Sequence, residues 1–122
     1  MRVESNAEPA FDFESQVWQY PKSGPKGISY YRGDLQGAFV DCLLYRDKSR
    51  KVRGILNHYP VDFIKEKAGN VNIFVEPRFQ HKGIASKLLA EAQRRWTIDL
   101  SRQHYTPVGA AFANAYLSRQ ID

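Results

Sequence analysis

Apolar positions change rhythm along the chain, and each change of rhythm marks an element. Residues 38–46 (AFVDCLLYR) and 52–59 (VRGILNHY) are apolar runs of strand length, separated by the polar segment DKSRK. That pattern predicts an antiparallel hairpin. Gly54, inside the second run, points to a bulge or to close approach of another backbone. Residues 28–32 predict a short strand before the hairpin, ended by Gly33 and Asp34. After a polar connection over residues 60–69, the segment NVNIFVEP alternates. Val71, Ile73 and Val75 share one face, and Asn72, Phe74 and Glu76 share the other. Pro77 ends that strand because it has no N–H for a sheet ladder.

The rhythm then becomes helical. In residues 83–96, Ile84, Leu88, Ala92 and Trp96 recur every four residues and Leu89 widens the stripe, while Lys87, Glu91 and Arg94 face away. Residues 97–100 predict a further short strand. Thr106 and Pro107 then read as a helix N-cap followed by proline at the first helical position. The second helix carries Val108, Ala111, Phe112, Ala115 and Tyr116. A short strand, three longer strands, a helix, a short strand and a helix make a mixed α/β sheet, mostly antiparallel, with helices packed on it. Residues 1–27 contain Pro9, Pro21, Pro25 and the turn-rich PKSGPKG, and are expected to be a loosely structured lead-in to one domain over residues 28–122. The aromatic group Phe11, Phe13, Trp18 and Tyr20 is expected to pack onto that domain.

Composition narrows the picture further. The chain has 122 residues, enough for one modest core. Its apolar runs are all shorter than the roughly 20 residues of a membrane-spanning helix, and its opening residues lack signal and transit patterns, so a cytoplasmic protein is expected. Cys42 is a single cysteine in an apolar strand and reads as a small core residue. No Cys/His cluster has zinc spacing, so no metal is expected. The net charge of +5 suits an anionic partner, whether a multiply phosphorylated cofactor or a nucleic acid.

The informative segment runs from Val75 to Ala85, a strand passing through a tight turn into an amphipathic helix. The first N–H groups of that helix have no intrahelical partner, and with the helix dipole they favour a phosphate or pyrophosphate. Gly83 removes the side chain that would block close approach, and Arg78 and Lys82 add positive charge. Gln80-x-x-Gly83-x-Ala85, following a strand that ends Val75-x-Pro77, resembles the acetyl-CoA-binding signature of the GNAT superfamily of N-acetyltransferases. The resemblance covers at most residues 38–117, and the strands that usually build the family's acceptor side are not expected within it, so that side is expected to differ or to be completed by another subunit.

The resemblance implies a GNAT-like sheet and acyl transfer from acetyl-CoA, as co-substrate, to an amine acceptor by direct attack. It places the pyrophosphate on the backbone of Gln80, His81, Lys82, Gly83, Ile84, Ala85 and Ser86. It lays the pantetheine arm along Phe74 and Val75, with Asn114 nearby, and puts an oxyanion donor at the Val75 N–H. Tyr116 is the implied general acid, its alternative being a plain core aromatic. Glu76 and His58 are candidate bases, each with a structural alternative, at a strand end and in the hairpin respectively. Two other readings stay open. One is a nucleic-acid-directed protein of the same fold, tracking phosphates with residues 48–53 and Arg94-Arg95. The other is a non-catalytic CoA-binding or interaction module. Completion of the acceptor side by another subunit also implies a homodimer.

Overall fold

β-branched and aromatic residues at alternate positions make the sheet, and the computed structural model describes residues 1–3, 17–35, 38–62 and 66–121 of the chain. Its strands are β1 (Arg2–Val3), β2 (Gly27–Leu35), β3 (Ala38–Arg46), β4 (Val52–His58) and β5 (Val71–Val75). Their order is β1-β5-β4-β3-β2. β2, β3, β4 and β5 pair antiparallel, and β1 lies parallel to β5. Helices α1 (Ile84–Arg95) and α2 (Pro107–Ile121) complete a mixed α/β fold. No helix among the described residues is long and apolar enough to cross a membrane.

The period-2 pattern divides the sheet into two faces. On one, Leu43, Leu56, Ile73 and Val75 meet Ile84, Leu88, Leu89 and Ala92 of α1. Leu88 and Leu89 are fully buried, and each such side chain contributes about 1.5–3 kcal/mol. The other face collects Val17, Tyr20, Cys42, Leu44, Ile55 and Phe74. Cys42 is a core residue there, and burial pushes its thiol up to about 12. Arg46, also buried, donates from Nη2 to the Pro21 carbonyl (2.9 Å) and from Nη1 to the Tyr31 hydroxyl (3.1 Å). These bonds tie the segment before β2 to the sheet. Of the early aromatics, Tyr20 packs on the sheet and Trp18 is 77% exposed. Phe11 and Phe13 lie outside the described residues.

Three local outcomes differ from the sequence pattern. β2 continues through Gly33 and Asp34, pairing them with Val40 and Phe39, because Gly33 leaves room for the Tyr20 hydroxyl instead of ending the strand. Residues 97–100 form no strand. Asp99 instead accepts from the Ser101 N–H (2.9 Å) and hydroxyl (2.6 Å) and caps a 3₁₀ turn, Leu100–Arg102. Such side-chain bonds offer the backbone an alternative to a ladder. The parallel position beside β5 is taken by Arg2–Val3, so the first residues of the chain belong to the sheet.

The hairpin turn rests on one carboxylate. Asp47 accepts from the Ser49 N–H and hydroxyl (2.9 and 2.6 Å), the Lys51 N–H (3.3 Å) and Arg53 Nε (2.7 Å). The Ser49 hydroxyl first, with help from Arg53, holds its carboxyl well below the usual carboxylate range. A depressed carboxylate pKa stabilises the fold fully above the unfolded value, and this contribution fades as pH falls below about 4. Replacing Asp47 by alanine is therefore expected to cost about 1–2 kcal/mol at neutral pH. The gap to wild type should narrow in urea melts below pH 4.

Candidate functional site

Strand β5 is buried along its whole length and delivers the chain to the turn. Glu76 donates its N–H to the Arg53 carbonyl (2.9 Å). That bond makes Gly54–Val75 a non-hydrogen-bonded antiparallel pair, so the N–H and C=O of Val75 point away from β4. They face the side where β1 lies, and the β1 register reaches only to Ile73. The Val75 carbonyl accepts from Gln80 Nε2 (3.2 Å), which folds the turn back on the strand. A 3₁₀ turn, Pro77–Phe79, follows, and then His81 and Gly83 take positive φ (62° and 84°). The left-handed conformation is cheap for Gly83 and costly for His81, so the backbone reversal is locally strained at one position.

α1 starts at that reversal, with Lys87 N–H donating to the Gly83 carbonyl (3.1 Å) as its first bond. No side chain caps the helix start, and no acidic residue lies in its first turn. Lys82 and Lys87 are exposed on either side. Cations at a helix N-terminus oppose the dipole, so this arrangement favours an anion over the helix's own comfort.

A cleft of about 470 Å³ opens here, within the roughly 300–1,000 Å³ common for small-molecule sites. One wall is Val75, Gln80, His81, Gly83, Ile84, Ala85 and Ser86, all seven expected from the sequence. The facing wall comes from α2: Val108, Ala111, Phe112, Ala115 and Arg119. Val3 and Phe79 complete it. α2 is set in place by Thr106, whose hydroxyl accepts from the Gly109 N–H (3.1 Å), so the N-cap expected at Thr106-Pro107 forms. The N–H of Thr106 donates to the Met1 carbonyl (3.2 Å), which joins β1 to α2.

The remaining expected residues lie elsewhere. The Phe74 side chain is buried in the opposite-face cluster, as strand alternation requires, so only its backbone runs beside the cleft. Lys82 stands at the rim with its ammonium 5.2 Å from the Phe79 ring centre. Asn114 is exposed, and its carbonyl accepts from the Ser118 hydroxyl (2.9 Å). Tyr116 is 4% exposed, and its hydroxyl donates to Gln93 Oε1 (2.7 Å) on α1 instead of entering the cleft. Burial raises its pKa. Glu76 is held by Arg53 Nη1 (2.6 Å), and the same guanidinium binds Asp47. Its carboxylate is thus engaged by Arg53 and is not part of the cleft lining.

His58 pairs with Val71, four residues up the strand from Val75 and so about 13 Å away. Its Nδ1 lies 3.0 Å from Asp41 Oδ2, and its ring stacks on Trp96 at 4.6 Å. Of the basic residues considered for nucleic acid, Arg53, Arg94 and Arg95 all have carboxylate partners. Among the described residues no cluster of His, Cys, Asp or Glu is placed to hold a metal ion.

Sequence reasoning missed Arg119, Val3 and the cleft-facing side of α2. The spacing of Val108, Ala111, Ala115 and Arg119 was available as a helical stripe, but nothing in it tells a cleft wall from a core face. Val3 had no signal, since a two-residue strand has no periodicity. Compared with family models, with curated proteins and with solved structures, the chain matches none.

Proposed function

We propose that this cleft binds acetyl-CoA or a close acyl-CoA and that the protein is an N-acyltransferase acting on an amine. The observation that carries the reading is the meeting, in one cleft, of an uncapped, acid-free helix start with the outward-facing edge of a buried strand. The ligand class must combine an anionic group with an extended arm able to bond a strand edge. The Gln80–Ala85 spacing, which resembles the GNAT signature, supports the same choice. When bound, acetyl-CoA would supply an activated acyl group.

The chain's own residues would then work mainly by binding and positioning. N–H groups at Gly83 to Ser86 suit a pyrophosphate. The small side chains of Ala111 and Ala115 leave room for a narrow arm between α2 and β5. The outward-facing Val75 N–H suits a carbonyl oxygen that gains negative charge during transfer. Tyr116 and Glu76 would need to leave Gln93 and Arg53 before moving protons, which favours a second reading, a CoA-binding module without turnover. A homodimer stays part of the proposal, with β2 as the outer strand available to a second copy.

Calorimetric titration of acetyl-CoA into wild type and into Gly83→Trp tests the reading. Saturable binding by wild type, at least tenfold weaker in the variant, is expected. At 100 times Kd the ligand should add about 2.7 kcal/mol of stability. No binding by wild type at millimolar concentration would overturn the proposal. Binding without turnover on an amine panel would select the module.

A further inference from the structure

Arg119 is exposed on the final turns of α2, lines the cleft, and donates from Nη1 to Ser86 Oγ at 3.4 Å. The contact spans from α2 to the first turn of α1. Arg53, Arg78, Arg94, Arg95 and Arg102 each have a carboxylate partner; among the described residues Arg32, Arg46, Arg50 and Arg119 have none, and of these four Arg119 alone lines the cleft. A guanidinium and the positive end of a helix dipole therefore face one another across the cleft mouth. Arg119 stands in the last turn of α2, where that helix's own dipole favours a cation, and its partner across the cleft is only a neutral hydroxyl. An anion between the guanidinium and the start of α1 satisfies both.

We infer that Arg119 is the second jaw of a phosphate clamp, which releases Ser86 and takes the phosphorylated end of the ligand in the cleft. This rests on the acyl-CoA reading of the cleft and adds to it a specificity determinant. The α1 turn supplies fixed backbone donors, while α2 supplies a forked, charged side chain that matches phosphate geometry. The site thereby reads a phosphorylated end separately from the apolar arm, and it selects CoA over its unphosphorylated fragment. Because Arg119 is exposed and packs in no core cluster, replacing it leaves the fold intact.

The test is calorimetric titration of CoA, pantetheine and inorganic pyrophosphate into wild type, Arg119→Gln and Arg119→Lys at two salt concentrations, with melting temperatures recorded for each. Arg119→Gln is expected to weaken CoA about 10- to 100-fold and to flatten the salt dependence. Pantetheine affinity should stay unchanged, and Arg119→Lys should recover part of the loss. Equal CoA affinity in wild type and Arg119→Gln would overturn the clamp and leave the acyl-CoA reading standing. Arg119-dependent pyrophosphate binding without CoA binding would support the clamp and overturn that reading. If neither CoA nor pyrophosphate binds wild type, both fall. Equal weakening of CoA and pantetheine, with a lower melting temperature, would show a structural role and overturn the clamp.

Discussion

Gly54→Val is expected to destabilise the domain by about 2–3 kcal/mol, although valine is the better strand former by up to about 1 kcal/mol. A Cβ at Gly54 would sit 2.7 Å from Ile84 Cγ2 and 3.2 Å from Leu88 Cδ1. Neither neighbour has space to yield, because Leu88 is fully buried and Ile84 is 5% exposed. The helix must lift or tilt at its start, which is also the wall of the cleft. Ligand affinity should therefore fall together with stability. Urea unfolding of Gly54→Ala and Gly54→Val gives a graded series: alanine should cost less than valine, and both should cost something. A neutral or stabilised Gly54→Val would mean that α1 is not seated on this part of β4.

Gly109→Ala carries the second large effect, and here too the sign is opposite to the local preference. In an exposed helix the change gains about 0.8–1 kcal/mol. At this position the added methyl would collide with the Met1 carbonyl oxygen and lie 3.1 Å from Thr106 Oγ1. The Met1 oxygen accepts from the Thr106 N–H, and the Thr106 hydroxyl caps the helix through Gly109 itself. One methyl group thus disturbs the β1–α2 junction and the cap together. A net loss of about 1–3 kcal/mol is expected in thermal or urea melts. Because Val3 lines the cleft and lies two residues after Met1, acetyl-CoA affinity should also fall. A stabilised Gly109→Ala would show that β1 does not dock against α2.

Both substitutions mark the boundary of what local pattern can tell. Alternation along NVNIFVEP, the apolar runs either side of DKSRK and the four-residue recurrence from Ile84 to Trp96 are properties of neighbouring residues. They determine β3, β4, β5 and α1 because side chains two apart on a strand, or about four apart on a helix, share a face. The Thr106-Pro107 start of α2 is local in the same sense. Of the eight residues from Val75 to Ser86 that line the cleft, all but Phe79 were legible, because a strand, a turn with glycine and a helix start are contiguous in the chain and carry the GNAT-like spacing.

Everything that depends on which elements meet was decided by the tertiary structure. Arg2–Val3 gains strand character only by lying beside β5, and residues 97–100 remain outside the sheet because Asp99 finds bonds of its own. Glu76 looks like a free strand-end carboxylate until Arg53, 23 residues earlier, comes within 2.6 Å. Tyr116 shares the α2 stripe with Phe112, yet its hydroxyl meets Gln93 on the neighbouring helix. Arg119 reaches Ser86 across 33 residues of chain. Periodicity and turn chemistry act over a few residues and so reveal β3, β4, β5, α1 and the start of α2, while the GNAT-like spacing marks one wall of the cleft. The opposite wall, the fate of each titratable side chain and the two glycines that cannot change were set by packing, because contact between distant segments follows from the fold and leaves no period in the chain.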